Sequence, residues 1–297
     1  MNTQSTDRPR TGVLINNYNN GRWLRACVDS VIAQTHPADE IIVYDDGSTD
    51  DSLAILHSYG ERITLLAGAH NFSRSGRASQ RTGMIAAFAA STAEHLYLLD
   101  GDDAYTPTHL ADYESAWAEK PEAVMVQGPM TRIDPAGVLL GPFYEARKHR
   151  RDYLADIYRH HETDYFYITS AFAFRRDFLA LAFPIIEREN GDYASDMQLA
   201  LHATFCGPIL TRPTPTSLYR VRVGSLVEIY GLRGGHRAYD TRDRALCFNR
   251  IAVRHGRPSI QIWRNFTYLQ QVARLWLPNW LTLPLARLKV ALRRPPR

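Results

Sequence analysis

Lysine is nearly missing from this chain: of 35 basic residues only Lys120, Lys148 and Lys289 are lysines, and the rest are arginine. No G-x-x-x-x-G-K-[ST] loop occurs, and no strand lysine follows a glycine-rich set, so templates that grip phosphate with a lysine have no anchor. A bound phosphate must therefore meet arginine, backbone or metal. Cysteine is equally sparse. Cys27, Cys206 and Cys247 are odd in number, far apart and set in apolar periodic stretches, which favours core packing over metal binding or a disulfide framework. The opening MNTQSTDRPR lacks the apolar core of a secretory signal, so a reducing cytoplasm is expected. A net charge of only +4 gives no expectation of a nucleic-acid partner.

What is present is enough apolar residue, 45% of 297, to bury a sizeable core. The first 130 residues alternate short apolar runs with amphipathic ones, the pattern of β-α units around a largely parallel sheet. Strands are expected at Gly12–Ile15, Ile41–Tyr44, Ile63–Leu66 and Leu96–Leu99, and helices at Arg22–Gln34, after Asp50 or Asp51, from about Ala78 to Ala90, and after Thr106-Pro107. Farther on, a hairpin is expected around Asp134–Gly137, a basic helix over Arg147–His161, a strand over Ser170–Phe174 and a helix over Tyr193–Phe205. A Pro-rich link, Pro208–Pro215, a strand over Leu218–Val223 and a helical, arginine-rich chain from Gly234 complete the pattern. The expected organisation is a disordered 1–10, a main domain over 11–230 and a helical basic extension over 231–297.

The chemistry gathers where strands end. LDGDD, Leu99 to Asp103, crowds three carboxylates into four positions, and like charges this close need a cation or hydrogen-bond donors. In an open α/β sheet ligands bind beyond the carboxyl ends of the strands. Asp45, Asp46, Asp100, Asp102 and Asp103 should meet at one edge with Asn16 and Asn17, and hard oxygen donors in such a group suit Mg²⁺ or Mn²⁺ carrying a phosphate compound. Taken singly, Asp-Asp-Gly-Ser is also a good turn with a helix cap, and LDGDD a solvated turn. A calcium loop fails, because Ala104, Tyr105 and Ala111 fill positions that need ligands or glycine. A phospho-receiver fails for want of a lysine before Lys120.

The stretch VLINNYNNGRWLRACVDSVIAQTHPADEIIVYDDGSTDDS, Val13 to Ser52, resembles the opening of family 2 glycosyltransferases, which have the GT-A fold. LDGDD followed by a proline is similar to that family's Asp-x-Asp motif. The resemblance implies a nucleotide pocket from Asn16, Asn17, Tyr18, Asp45 and Asp46, with Asp46 hydrogen-bonding a uracil-type base. It implies a metal-diphosphate motif of Asp100, Gly101 and Asp102, with Asp103 a close rival, and a late motif near the diphosphate at Arg220. Asp196, opening the helix DMQLALHA, resembles the general base, although Ser195 and Asp196 also suit a helix cap. Gln80-Arg81-Thr82 stands where the family has Ala-Arg-Asn, and Arg222 where a histidine is frequent. Arg74, Arg77 and Arg81 precede the metal strand, where each suits either the diphosphate or a solvated face.

From this follows an expected inverting transfer of a sugar, from a nucleotide sugar with UDP favoured, to a saccharide or lipid-linked hydroxyl in bacterial surface-polysaccharide or glycoconjugate synthesis. A non-catalytic nucleotide-sugar binder and a sugar nucleotidyltransferase are the alternatives. The first is opposed by intact carboxylates, the second by the lack of a Gly-rich basic opening. His160, His161, Glu162 and Asp164 suit an acceptor wall or a solvated helix end. From Val272 the chain has no run of eighteen apolar residues, yet Trp276 and Trp280 stand beside Arg287, Lys289, Arg293, Arg294 and Arg297. That composition suits either shallow contact with an anionic inner membrane face or packing on the body of the protein.

Overall fold

The computed structural model describes residues 8–70, 76–143, 149–189, 194–222, 234–266, 268–269 and 272, side chains at 76–78, 188–189 and 234–240 excepted. Two compact units arise: the chain up to Arg151 with Phe166–Val221, and Asp152–Tyr165 with the chain from Arg222 onward. Segment 152–165 thus groups with the C-terminal chain, whereas the sequence reading kept it in the main domain. Arg8 and Arg10, expected in a disordered leader, form ion pairs with Asp39 at 2.9 Å and Glu40 at 3.0 Å.

The first unit opens with β1 (Thr11–Asn17), α1 (Gly21–Ile32), β2 (Glu40–Asp45), α2 (Ser52–His57), β3 (Thr64–Ala67), α3 (Gly76–Ala90) and β4 (His95–Asp100). It continues through β5 (Ala104–Tyr105), α4 (His109–Glu119), β6 (Met125–Gln127), β7 (Met130–Ile133) and β8 (Leu139–Pro142). After α5 (Tyr153–His160), which belongs to the second unit, come β9 (Phe172–Arg175), α6 (Arg176–Glu189), α7 (Ser195–Cys206), β10 (Ile209–Thr211) and β11 (Ser217–Arg220). The main sheet runs β10-β6-β9-β4-β1-β2-β3 and is parallel except for β9, which is antiparallel to both β4 and β6. A smaller sheet, β5-β11-β7-β8, carries the expected hairpin at Asp134–Gly137. The expected α/β class with helices flanking a mostly parallel sheet is what forms.

Packing explains the order of elements. One face of the sheet presents Val13 and Ile15 of β1, Val43 of β2, and Tyr97 and Leu99 of β4, all fully buried at period two. Leu24, Cys27, Val28 and Val31 of α1, at helical spacing, complete that cluster with Tyr113 and Trp117 of α4. Each such side chain contributes about 1.5–3 kcal/mol of transfer free energy. Cys27 and Cys247 pack in cores as expected, but Cys206 is exposed at the end of α7. Where a plain Pro-rich link was expected, Ile209–Thr211 pairs with β6 as a three-residue strand. A helix over Arg176–Glu189 was not anticipated, because Pro184 stands inside it.

In the second unit α5 is shorter than the expected Arg147–His161: Asp152 caps it by accepting Ala155 N–H at 2.9 Å, and His161 ends it with φ 52°. Buried Phe248 and Ile251 of α8 (Gly234–Arg254) line its core, and Tyr158 meets the Phe248 ring edge-on at 5.6 Å. His161 and Asp164, weighed for an acceptor wall, bind within this unit: His161 accepts bonds from Gln261 and Asn265, and Asp164 pairs with Arg244 at 2.8 Å. The tail carrying Trp276 and Trp280 lies outside the described residues. Among those described, no helix is long and apolar enough to cross a membrane.

His109 shows how completely the first unit is closed. Fully buried, it bonds Thr216 Oγ1 at 2.8 Å and stacks on Tyr105 at 3.8 Å, and desolvation depresses its pKa to about 3. An unfolded histidine takes its proton near pH 6.5, so between there and pH 3 the unfolded state binds one proton more, and stability falls as pH falls. The expected loss is about 1.4 kcal/mol per pH unit well below 6.5 from this residue. Urea unfolding at pH 7 and pH 5 should show a smaller difference in His109→Asn than in the wild type; equal differences would refute the assignment.

Candidate active site

The strand register brings the sequence motifs to one edge. Asn16 lies opposite Tyr44 of β2 and Asp100 of β4, and Asn17 lies opposite Asp45. Asp45 is fully buried: its oxygens accept Asn17 Nδ2 at 2.7 Å, Ser48 N at 2.8 Å and Ser48 Oγ at 2.7 Å. It therefore locks the β1 and β2 ends together, a scaffolding role beside the nucleotide-pocket role that the resemblance implied. Asp46 is the member left to face a ligand. Its Oδ2 accepts His70 Nδ1 at 2.6 Å, taking the ring in the tautomer that donates there, and that ring stacks on Tyr18 at 4.0 Å. Among the described residues both side-chain polar atoms of Asn16 are buried without a hydrogen-bond partner, and Gly83 of α3 is what admits them, since a Cβ there would stand 2.4 Å from Asn16 Oδ1. Gly101 N–H donates to the Asn16 carbonyl at 2.8 Å, which seats the LDGDD turn against β1.

The three acids of that turn have different fates. Asp103 is almost fully buried, and its oxygens accept Ser170 Oγ at 2.7 Å and Arg220 N at 2.8 Å. Desolvation, with the negative fields of Asp102 and Asp100, holds its pKa well above the usual carboxylate range. Of the three metal candidates it is the one whose two oxygens are already engaged, which makes it an anchor of the turn. Ser170 also accepts the Asp100 N–H at 3.1 Å. Arg220 is buried too, but its guanidinium donates to the carbonyls of Asp102 at 2.8 Å and Asp134 at 3.0 Å. It pins two loops beside the place where the resemblance implied a diphosphate contact. Asp100 and Asp102 remain as candidate ligands.

A chain of hydrogen bonds leads from Asp100 to the candidate base. Gln80 Nε2 donates to Asp100 Oδ1 at 2.9 Å and to Thr169 Oγ1 at 3.2 Å, while Thr169 donates to Asp196 Oδ2 through both N–H and Oγ1 at 3.0 Å. Asp196 Oδ1 accepts Met197 N–H at 2.7 Å. The helix-cap alternative loses ground: Ala194 occupies the cap position of α7 without a side-chain bond, and among the described residues the buried Ser195 Oγ has no partner. Two carboxylates from elements 96 positions apart (196 minus 100) are thereby held in one network through neutral groups.

The comparisons with known proteins agree with this geometry. The family model described as glycosyl transferase family 2 matches residues 12–181. The chain belongs to that family. An uncharacterized glycosyltransferase of Nostoc sp. is 30% identical over 221 residues, spanning 71% of this chain and 65% of that protein. The chain thus spans just under two thirds of that relative. The crystal structure of Staphylococcus aureus TarS 1–349 with UDP-GlcNAc is 16% identical, with TM-score 0.61, covering 89% of this chain and 73% of that one. The mannosyltransferase PcManGT of Pyrobaculum calidifontis, with GDP-Man and Mn²⁺, is 21% identical, with TM-score 0.56, covering 96% and 75%. At these identities the two structures bear on the fold alone.

For this family 2 chain Asn16 sits near the end of β1, and Tyr18, Asp46, Gly101 and Asp102 sit on the loops that follow the strands at that edge. Arg81 of α3 is buried, so its solvated-face alternative is excluded. The side chain of Arg77 and all of Arg74 lie outside the described residues. Sequence reasoning missed His70, Gln80, Thr169 and Ser170. Gln80 was detectable as the departure from the family's Ala-Arg-Asn; the others are ordinary polar residues in turns. Among the described residues no three His, Cys, Asp or Glu side chains converge to cage a metal ion. Asp100 and Asp102, as two hard oxygen donors, fit Mg²⁺ or Mn²⁺ that fills its remaining positions from a phosphate and water. Ser170→Ala leaves the Asp100 N–H and an Asp103 oxygen unsatisfied inside the protein, so urea unfolding should show a loss of about 1–3 kcal/mol; an unchanged midpoint would show that the turn does not depend on this hydroxyl.

Proposed function

We propose that this chain is an inverting glycosyltransferase that moves a sugar from a nucleotide-diphosphate sugar to a hydroxyl of a saccharide or lipid-linked acceptor. The process it serves, in this reading, is the synthesis of a bacterial surface polysaccharide or glycoconjugate. The observation that carries the reading is the network Asp100–Gln80–Thr169–Asp196, which joins the strand-end carboxylate to a second buried acid across a cleft edge. TarS with UDP-GlcNAc and PcManGT with GDP-Man support a nucleotide-sugar donor on this fold.

The residues divide the work. Asp46 and Tyr18 receive the base. Asp100 and Asp102 would hold Mg²⁺ or Mn²⁺, which when bound would supply positive charge to offset that of a departing diphosphate. Asp196 takes the proton of the acceptor hydroxyl, and Thr169, donating twice to one oxygen, fixes the carboxylate's direction. Attack from the face opposite the diphosphate inverts the anomeric carbon, so an α-linked donor gives a β-glycoside.

Asp102→Asn keeps shape and removes a charge. Donor hydrolysis or transfer by that variant should be lost while its far-UV CD spectrum is retained, and wild-type activity in EDTA should vanish and return with Mn²⁺. Full activity in EDTA rejects the metal assignment. Asp196→Asn should lower kcat about 10²- to 10⁴-fold with donor affinity in calorimetry unchanged. Near-normal turnover would move Asp196 to a structural role.

A further inference from the structure

The Asp46 carboxyl is asymmetric. Its Oδ2 is taken by His70 Nδ1 at 2.6 Å, while among the described residues its Oδ1 accepts no hydrogen bond. The partner is built in. Gly47, with φ +72°, carries the chain so close under the next loop that a Cβ there would stand 2.7 Å from His70 N, and Gly68 N–H ties that loop to the Asp45 carbonyl at 2.7 Å. Tyr18, stacked within 9° of parallel on the His70 ring, holds it from the β1 side. Asp46 itself is fixed through its N–H to the Asn17 carbonyl at 2.9 Å.

The consequence follows from the edges of the bases. Guanine presents two adjacent donors, N1–H and N2–H, which match a carboxylate with both oxygens open. Uracil and thymine present one donor, the imide N3–H, between two carbonyl oxygens. Adenine and cytosine set a ring-nitrogen lone pair beside their amino group, which a carboxylate repels. Oδ2 keeps a second lone pair, but the His70 bond draws charge from it and takes one of its directions, so the open Oδ1 suits the single-donor edge best and guanine's second N–H meets a weakened acceptor in a buried place, which costs affinity. Resting on the proposed donor site, we propose that His70 is a positioning residue that engages Asp46 Oδ2 and turns the open Oδ1 to the base, so that the site favours an imide base, uracil or thymine, over guanine.

Calorimetry on the full chain with Mn²⁺ and UDP, dTDP or GDP tests this. UDP or dTDP should bind at least about tenfold more tightly than GDP, the effect of one lost bond to a charged group. The UDP and dTDP arms separate the two imide sources. His70→Asn keeps an N–H donor near the position of Nδ1 and removes the ring; it should retain the preference. His70→Phe keeps the ring and removes the donor, and should shrink the preference to threefold or less. Melting temperatures report whether each variant folds, and the wild-type ratio and His70→Asn stand without the other. Equal affinities in the wild type, an undiminished preference in folded His70→Phe, or its loss in His70→Asn overturns the role of His70. Failure of the wild type to bind any of the three nucleotides overturns the proposed function itself, a different result from binding without preference.

Discussion

The end of β4 sets the terms for the rest of the molecule. Three carboxylates in four positions repel, and Asp103, the most buried, is forced toward its neutral form by desolvation and by its neighbours. The fold answers by recruiting donors from far along the chain: Ser170, 67 positions away, and the Arg220 N–H, 117 positions away. Because Arg220 also reaches the carbonyls of Asp102 and Asp134, satisfying one acid joins the small sheet to the main one. Placing Ser170 there requires the segment before β9 to pass beside β4, and this delivers Thr169 to Asp196. One electrostatic problem thereby fixes four segments. A buried acid left without such donors costs several kcal/mol, more than any single apolar contact returns.

The two acidic clusters solve the same problem in the same way. In Asp45-Asp46 the first acid is buried and bonded to Asn17 and Ser48, and the second keeps an open oxygen. In the LDGDD turn Asp103 is the spent acid, and Asp100 and Asp102 stay at the edge. An acid pair at a strand end is thus a scaffold residue next to a presenting residue. Substituting the two members should have different signatures, stability for one and ligand affinity for the other.

Much of this was legible in the sequence, and the limits have physical reasons. The strands were visible because Val13–Ile15, Ile41–Tyr44 and Leu96–Leu99 are apolar runs buried on both faces. The site edge followed from strand ends, which backbone direction alone dictates. Sequence does not say which acid of a pair turns inward, so the scaffolding bonds of Asp45 and Asp103 were not foreseen. The partners that decide this, Ser48, Ser170 and the Arg220 backbone, have no distinguishing composition. β10 escaped because proline-rich flanks conceal a three-residue strand whose existence depends on β6, a tertiary partner. α6 escaped because Pro184 interrupts a helix that its buried face sustains.

The two ends of the sheet are charged by different rules, and this bears on what the site attracts. At the amino end acids meet cations: Arg8 with Asp39 at 2.9 Å, Arg10 with Glu40 at 3.0 Å, and Arg175 with Asp177. At the carboxyl end the buried acids Asp45 and Asp103 are held by amide, hydroxyl and backbone donors, and Asp100 receives the neutral amide of Gln80. Neutral donors stabilise a carboxylate in place without cancelling its field. Arginine side chains at those same positions would have bonded the acids equally well and closed the edge to a cation. The Arg220 guanidinium, bonded to the Asp102 and Asp134 carbonyls, adds a fixed positive field beside Asp102 and Asp103, so the field that a divalent ion with its phosphate ligand would meet is set by the balance of these acids against one buried cation.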